Sequence, residues 1–210
     1  MMINKKIRAI IFDMGGVIIL TCDDSSRIAL AGQLGITTEQ LTKAVFSSES
    51  AIRSEEGELN KQEHWKNVLR SFGKESVKNV MPYDEAFWAG DCIDKELIEF
   101  IHALKKKYKI GFLSNAFKGA REWVESHFQF LDAFDLTVFS YEVKLRKPDP
   151  KIYQLVCERL EVQPEEAIFI DDMAINVEGA RLAGLHSIQY FNKDQLKTQL
   201  ADILGPDFIN

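Results

Sequence analysis

Two apolar runs in this chain end in carboxylates: Ile11-Phe12-Asp13 and Phe169-Ile170-Asp171-Asp172. A third, Phe112-Leu113, ends in Ser114-Asn115, and Lys147 sits in the stiff segment Arg146-Lys147-Pro148-Asp149-Pro150. In open α/β sheets, ligands bind outside the carboxyl ends of the strands. If the first and last runs are neighbouring strands, Asp13, Asp171 and Asp172 converge in one crevice. Carboxylates that close cannot all stay ionised without compensation. The simplest compensators are a divalent cation and a lysine. Oxygen-only ligands with room for water favour Mg²⁺ over Zn²⁺. A hydroxyl and free backbone N–H groups at a strand-to-helix turn, as at Ser114 and Asn115, suit an anion. His64, His102, His127 and His186 show no ligand spacing and are each expected to be structural, His64 being the one candidate among them for reaching a substrate. Each candidate taken alone is an ordinary turn or surface residue. Their joint occurrence, in this order, carries the reading.

The elements that must position them follow from pattern. Ala9–Phe12, Ile110–Leu113, Leu136–Thr137–Val138–Phe139 and Ala167–Ile170 are short, non-alternating apolar runs, as expected of a parallel sheet covered on both faces. Ser187–Tyr190 is a weaker run that suits an edge. Asp94 is placed to cap a helix carrying Leu97, Ile101, Leu104 and Tyr108 on one face. Asp149-Pro150 reads as N-cap plus first-turn proline, and the helix from Asn176 to Ala183 stops at Gly184. From about residue 94 onward, helix and strand alternate, which implies a doubly wound layer with right-handed crossovers. Residues 20 to 93 hold no convincing strand. Helical patterns fall there near 25–34, 38–47, 61–72 and 82–88, with Trp65, Phe87 and Trp88 as expected core. The domain expectation is an α/β core from 1–19 and 96–210, interrupted by a helical cap at 20–95.

Composition narrows the partners. The chain has 210 residues, and a chain of that size buries roughly 70% of its unfolded surface without needing a staple. Its net charge of −6 gives no global reason to bind nucleic acid or an anionic membrane. Lys105-Lys106-Lys107 closes a helix and suits the dipole. Cys22, Cys92 and Cys157 are far apart and odd in number, which predicts a reducing compartment and no disulfide framework. Lys5, Lys6 and Arg8 before an apolar stretch resemble a signal peptide, but Asp13 interrupts the stretch and no cleavage site is evident. No segment reaches the ~20 apolar residues of a membrane span. A cytoplasmic monomer or weak homodimer is expected.

The order Phe12-Asp13-Met14-Gly15-Gly16-Val17, Leu113-Ser114-Asn115, Lys147-Pro148 and Asp171-Asp172 with Asn176 resembles the four motifs of the haloacid dehalogenase-like superfamily. The resemblance runs from residue 9 to about 190, and includes a helical cap of the type inserted between the first two motifs. In overall plan the chain resembles bacterial sugar-1-phosphate phosphatases and the phosphatase-like domain of epoxide hydrolases. The resemblance implies a Rossmann-like three-layer core and Mg²⁺-dependent hydrolysis of a small phosphorylated metabolite. By that resemblance Asp13 is the nucleophile that forms an aspartyl-phosphate. Asp13, the Gly15 carbonyl and Asp172 hold the metal, while Asp171 and Asn176 orient their neighbours. Ser114 and the Asn115 backbone hold the phosphoryl oxygens, and Lys147 neutralises charge between nucleophile and phosphate.

One position departs from the pattern. Where most phosphatases of the superfamily carry a second Asp as general acid/base, this chain has Gly15. The backbone carbonyl survives the change and the acid does not. General acid–base help is typically worth 10²–10⁴-fold, so poor leaving groups suffer most. The favoured reading is therefore a phosphatase for sugar phosphates or other activated esters. The alternatives are a weakly active or non-catalytic binding protein and a metal-independent 2-haloacid dehalogenase. Substrate choice is expected to lie in the cap segment Ser48–Glu58, with Arg53, Glu55, Glu56 and Glu58.

Overall fold

The protein is described by a computed structural model covering residues 6–205, 208 and 209. Residues 1–5 of the expected core lie outside that range, as does Lys5 of the leader-like stretch. The sheet strands are β1 (Ala9–Phe12), β4 (Lys109–Ser114), β5 (Leu136–Phe139), β6 (Ala167–Asp171) and β7 (His186–Gln189). All are parallel, in the order β5-β4-β1-β6-β7. The chain leaves central β1 for β4 on one side and later reaches β6 on the other. The crevice at the carboxyl end of β1 is thus the switch point.

Non-alternating runs are apolar on both faces because both faces are covered. Ile10, Phe12, Ile110, Phe112, Ile168 and Ile170 face one layer, formed by α6 (Lys95–Lys105) through Leu97, Ile101 and Leu104 and by α11 (Lys193–Leu204) through Leu196 and Leu200. Ala9, Ile11, Leu113, Val138 and Phe169 face the other, formed by α9 (Pro150–Arg159) through Ile152, Tyr153 and Val156 and by α10 (Ala174–Leu182) through Ala180. Asp94 caps α6 by accepting from the Leu97 N–H at 3.0 Å, and Asp149 caps α9. This is the three-layer α/β architecture expected from the sequence. The short α7 (Ala120–His127) and α8 (Ser140–Val143) complete the core.

The helical stretch contains α1 (Ser25–Leu34), α2 (Thr38–Phe46), α3 (Glu49–Glu55), α4 (Lys61–Arg70) and α5 (Met81–Trp88). Two strands also occur there, contrary to the sequence expectation: β2 (Ile19–Thr21) and β3 (Asp91–Ile93) form an antiparallel ribbon at its neck. At three residues each, they are too short to show a period. The ribbon also corrects the cysteine reading. Its register sets Leu20 against Cys92 and brings the Cys22 N–H to the Gly90 carbonyl. Cys22 and Cys92 are therefore joined, with Cα atoms 5.8 Å apart across 70 residues of sequence. Cys157 is free and buried.

Leu30, Leu41, Val45, Trp65, Val68 and Phe87 form an apolar cluster within the helical stretch, plugged by Phe117 from the core. Buried Asp84 ties it together, accepting from the Trp65 and Trp88 indoles at 2.8 and 2.9 Å and pairing with Lys61 at 3.0 Å. His64 lies inside this cluster with no exposed surface, 4.6 Å from the Phe117 ring, its Nδ1 3.0 Å from Ser50 Oγ. It does not reach a substrate. Its place on α4 faces the helices it packs against, which spacing alone could not distinguish from facing a ligand.

Burial pushes the His64 pKa from 6.5 down to about 4. The unfolded chain therefore gains a proton as pH falls through 6.5, while the folded chain stays neutral until about 4. Stability is complete above pH 6.5 and is lost as pH falls toward 4. Between pH 7.5 and 4.5 this loss amounts to about 2–3 kcal/mol. Urea unfolding of His64→Phe at both pH values should show a pH dependence smaller by that amount. Equal pH dependence in both proteins would contradict this assignment.

Candidate active site

At the carboxyl end of β1, the chain turns sharply after Asp13. The Asp13 N–H bonds to the Ile170 carbonyl on β6 at 2.9 Å, and Ile18 and Ile19 bond back to the Met14 carbonyl. Met14 and Ile19 accept the turn's backbone bonds, leaving the Gly15 carbonyl out of them. Gly16 has φ 75°, and a Cβ there would lie 2.4 Å from Asp172 Oδ2. A glycine is needed because the turn passes directly beneath the Asp172 carboxylate.

Lys147 is the centre of the site. Its Nζ lies 2.6 Å from Asp13 Oδ1 and 2.6 Å from Asp171 Oδ2, and its side chain is 1% exposed. Burial works against its charge, but the two carboxylates outweigh burial and hold its pKa above the ordinary lysine value. Burial also lifts Asp13 above the usual carboxylate range, with Asp171 adding to the shift and Lys147 opposing it. Asp171 is fully buried and saturated. It accepts from Lys147, from the Met173 N–H at 2.8 Å, and from Asn176 Nδ2 at 3.1 Å to each oxygen. Asn176 thus contacts Asp171 directly. Tyr153, on α9, fixes Asn176 in turn by donating to its carbonyl at 2.8 Å.

The loop carrying Lys147 is held by contacts the sequence did not disclose. Asn115 makes a reciprocal clamp: its Nδ2 donates to the Lys147 carbonyl at 2.9 Å, and its Oδ1 accepts from the Lys147 N–H at 2.8 Å. The side chain of Asn115 is therefore engaged with Lys147, beyond the backbone role expected of it. Ser140 Oγ accepts from the Ala116 N–H at 3.0 Å and fixes the turn after Ser114. On α10, a Cβ at Gly179 would lie 2.7 Å from Pro148, so the loop rests against bare helix backbone. Ser114 is 1% exposed and lines the cleft with Asn115.

The residues fit a divalent cation. Asp13, Asp171 and Asp172 offer oxygens within 4.8 Å of one another. Three carboxylates against one ammonium leave two negative charges, which a divalent ion balances. Asp171 is already saturated, so Asp13, the half-buried Asp172 and the Gly15 carbonyl are the oxygens available. All three residues line the cleft.

The helical stretch closes over this floor, leaving a cleft of about 1010 Å³. Of the expected specificity segment, Glu55 lines the cleft, but it is paired to Arg146 Nε at 2.7 Å. Burial lifts the Glu55 carboxyl and Arg146 opposes the shift. Arg53 and Glu58 form an exposed pair with each other at 2.8 Å. Trp65 and Phe87 are core as expected, whereas Trp88 lines the cleft.

A family model described as haloacid dehalogenase-like hydrolase matches residues 7–184. The D-ribitol-5-phosphate phosphatase of Bacteroides thetaiotaomicron is 26% identical over 209 residues, covering 95% of this chain and 99% of that protein. Acyl-CoA dehydrogenase family member 10 of Mus musculus is 29% identical over 218 residues; the match takes in 96% of this chain but only 20% of that longer protein. A wild-type HAD family enzyme from Bacteroides thetaiotaomicron, crystallised with magnesium and inorganic phosphate, superposes with TM-score 0.74 at 25% identity, covering 90% of this chain and 98% of that one.

Removing Lys147 should expose how much the site depends on it. Lys147→Met leaves Asp13 and Asp171 buried without their cation, at a cost of about 3–5 kcal/mol near pH 8. Without the opposing Lys147, burial lifts the Asp13 carboxyl still further above its unfolded value, so the penalty should shrink as pH falls toward 5. Urea unfolding at pH 8 and pH 5 measures both. A variant as stable as the parent at pH 8 would show that the triad does not hold the site.

Proposed function

The chain belongs to the haloacid dehalogenase-like hydrolases, and from that premise we propose that it is a Mg²⁺-dependent phosphatase acting on a small phosphorylated metabolite. A sugar phosphate or another activated phosphate ester is the proposed substrate. The observation that carries this reading is the triad in which one buried ammonium holds Asp13 and Asp171 while Asp13 still lines the cleft beside Asp172. The likeness to a D-ribitol-5-phosphate phosphatase along nearly the whole of both chains supports it. Residues 20–95 are proposed to act as a cap over a core of 1–19 and 96–210.

In this reading Asp13, the Gly15 carbonyl and Asp172 hold Mg²⁺, with Asp171 and Asn176 orienting them. When bound, the ion neutralises the phosphoryl group and the carboxylates around it. Asp13 attacks phosphorus in line with the leaving oxygen, the bond from phosphorus to that oxygen breaks, and an aspartyl-phosphate forms. Lys147 offsets the equatorial charge, and Ser114 with the Asn115 N–H binds the phosphoryl oxygens. Water then attacks phosphorus, releasing inorganic phosphate and restoring the Asp13 carboxylate. With Gly15 in place of an acid, the leaving oxygen departs as an anion and takes its proton from water. Leaving groups of low pKa are therefore favoured.

Hydrolysis of acetyl phosphate and p-nitrophenyl phosphate should require Mg²⁺, stop with EDTA, and fall at least about 10³-fold in Asp13→Asn. Turnover equal to that of Asp13→Asn would favour the non-catalytic reading. Halide release from 2-chloropropionate in EDTA would favour a dehalogenase.

A Cβ at Gly15 meets nothing within 4 Å, so Gly15→Asp is accommodated. It should raise kcat on a primary-alcohol phosphate about 10²-fold and leave acetyl phosphate much less affected. No gain on the alcohol ester would mean that another group already delivers the proton.

A further inference from the structure

Eight large apolar side chains are prominently exposed among the described residues, and four of them, Phe46, Ile52, Met173 and Ile175, surround this one cleft. Phe46 and Ile52 come from the helical cap, Met173 and Ile175 from the core beside Asp172. Trp88 and Trp123 close one side, their rings 5.9 Å apart across the cap–core boundary. Concentrated exposed apolar surface of this kind marks a binding site, whereas scattered single residues mean nothing.

The charged groups of the cap that line the cleft are largely occupied. Arg27 donates to Asp91, Thr21 and the Phe87 carbonyl. Lys61 is held by Asp84, and Glu55 by Arg146. A polyol would have to pull these pairs apart or rely on the exposed residues of α2 to satisfy its hydroxyls. An apolar body needs neither. The volume also exceeds what a phosphate and a short polyol need, since clefts of roughly 300–1,000 Å³ take drug-sized ligands.

We propose that the natural leaving group is an apolar-bodied aromatic alcohol, with its phosphate on the Asp13–Lys147 floor and its body against Phe46, Ile52, Met173 and Ile175. This deepens the phosphatase reading and rests on it. The position of Gly15 points the same way, because an aromatic alcohol leaves as a stabilised anion without a proton donor. The bond broken is that from phosphorus to the aryl oxygen. The electron pair stays on oxygen, which water then protonates.

The test is a Mg²⁺-dependent series of phenyl, 4-methylphenyl, 4-butylphenyl and 4-hexylphenyl phosphates, whose leaving groups have nearly equal pKa. Glucose 1-phosphate and ribitol 5-phosphate form the polar arm, and acetyl phosphate reports phosphatase chemistry itself. The expected result is a rise in kcat/KM of roughly three-fold per methylene, carried by KM, until the cleft is filled. In Ile52→Ser/Ile175→Ser, whose substituted side chains are already partly exposed, the ratio for 4-hexylphenyl over phenyl phosphate should fall about ten-fold. Acetyl phosphate turnover with a flat alkyl series, or polyol phosphates that match or exceed the 4-butylphenyl ester, would overturn the apolar assignment and leave the phosphatase reading standing. No turnover of any ester, acetyl phosphate included, would overturn both.

Discussion

One buried ammonium organises the molecule. Lys147 Nζ bonds at 2.6 Å to Asp13 at the end of β1 and to Asp171 at the end of β6. Those strands are neighbours with matched register, so their last residues emerge side by side. A buried charge without partners costs several kcal/mol, and a buried pair is tolerable only when its remaining polar atoms are bonded. The surroundings meet that condition. Asn176 and the Met173 N–H complete Asp171, and Asn115 clamps the backbone of Lys147 on both sides. Two of the glycines that permit close approach, Gly16 under Asp172 and Gly179 under Pro148, lie beside this site.

The parts legible in the sequence are those fixed by local pattern. Asp13 and Asp171 could be read because each ends a non-alternating apolar run, and such runs announce buried parallel strands. The α6 and α9 caps could be read because Asp94 and Asp149-Pro150 act within their own turn. Helix α11 carries a comparable local signal, Asn192 capping toward Gln195 ahead of Leu196 and Leu200.

What stayed hidden depends on residues distant in the chain. Asn115 looks like a turn residue until the loop 32 positions away comes to rest on it. The joining of Cys22 to Cys92 needs the β2–β3 register, and those strands are too short to show it. His64 and Trp88 both lie on helices of the inserted stretch, where spacing alone does not tell a core-facing side chain from a cleft-facing one. Only the packed helices reveal that His64 turns inward while Trp88 reaches the cleft.

The helical stretch and the floor of the cleft are also tied together by two residues adjacent in sequence. Arg146 holds Glu55 on α3, and its neighbour Lys147 holds Asp13 and Asp171. On the same side, the backbone at Gly57 approaches Tyr141 so closely that a Cβ would lie 2.6 Å from its carbonyl oxygen. The position of α3 is therefore tied to the loop that sets the lysine. That loop has little freedom to move independently, because Asn115 grips one face and the bare backbone at Gly179 supports the other. Removing Arg146 would leave the buried Glu55 carboxylate without its cation. Two adjacent basic residues of one loop are thus each set against buried carboxylates from other elements, Arg146 against Glu55 of α3 and Lys147 against Asp13 and Asp171 at the ends of β1 and β6.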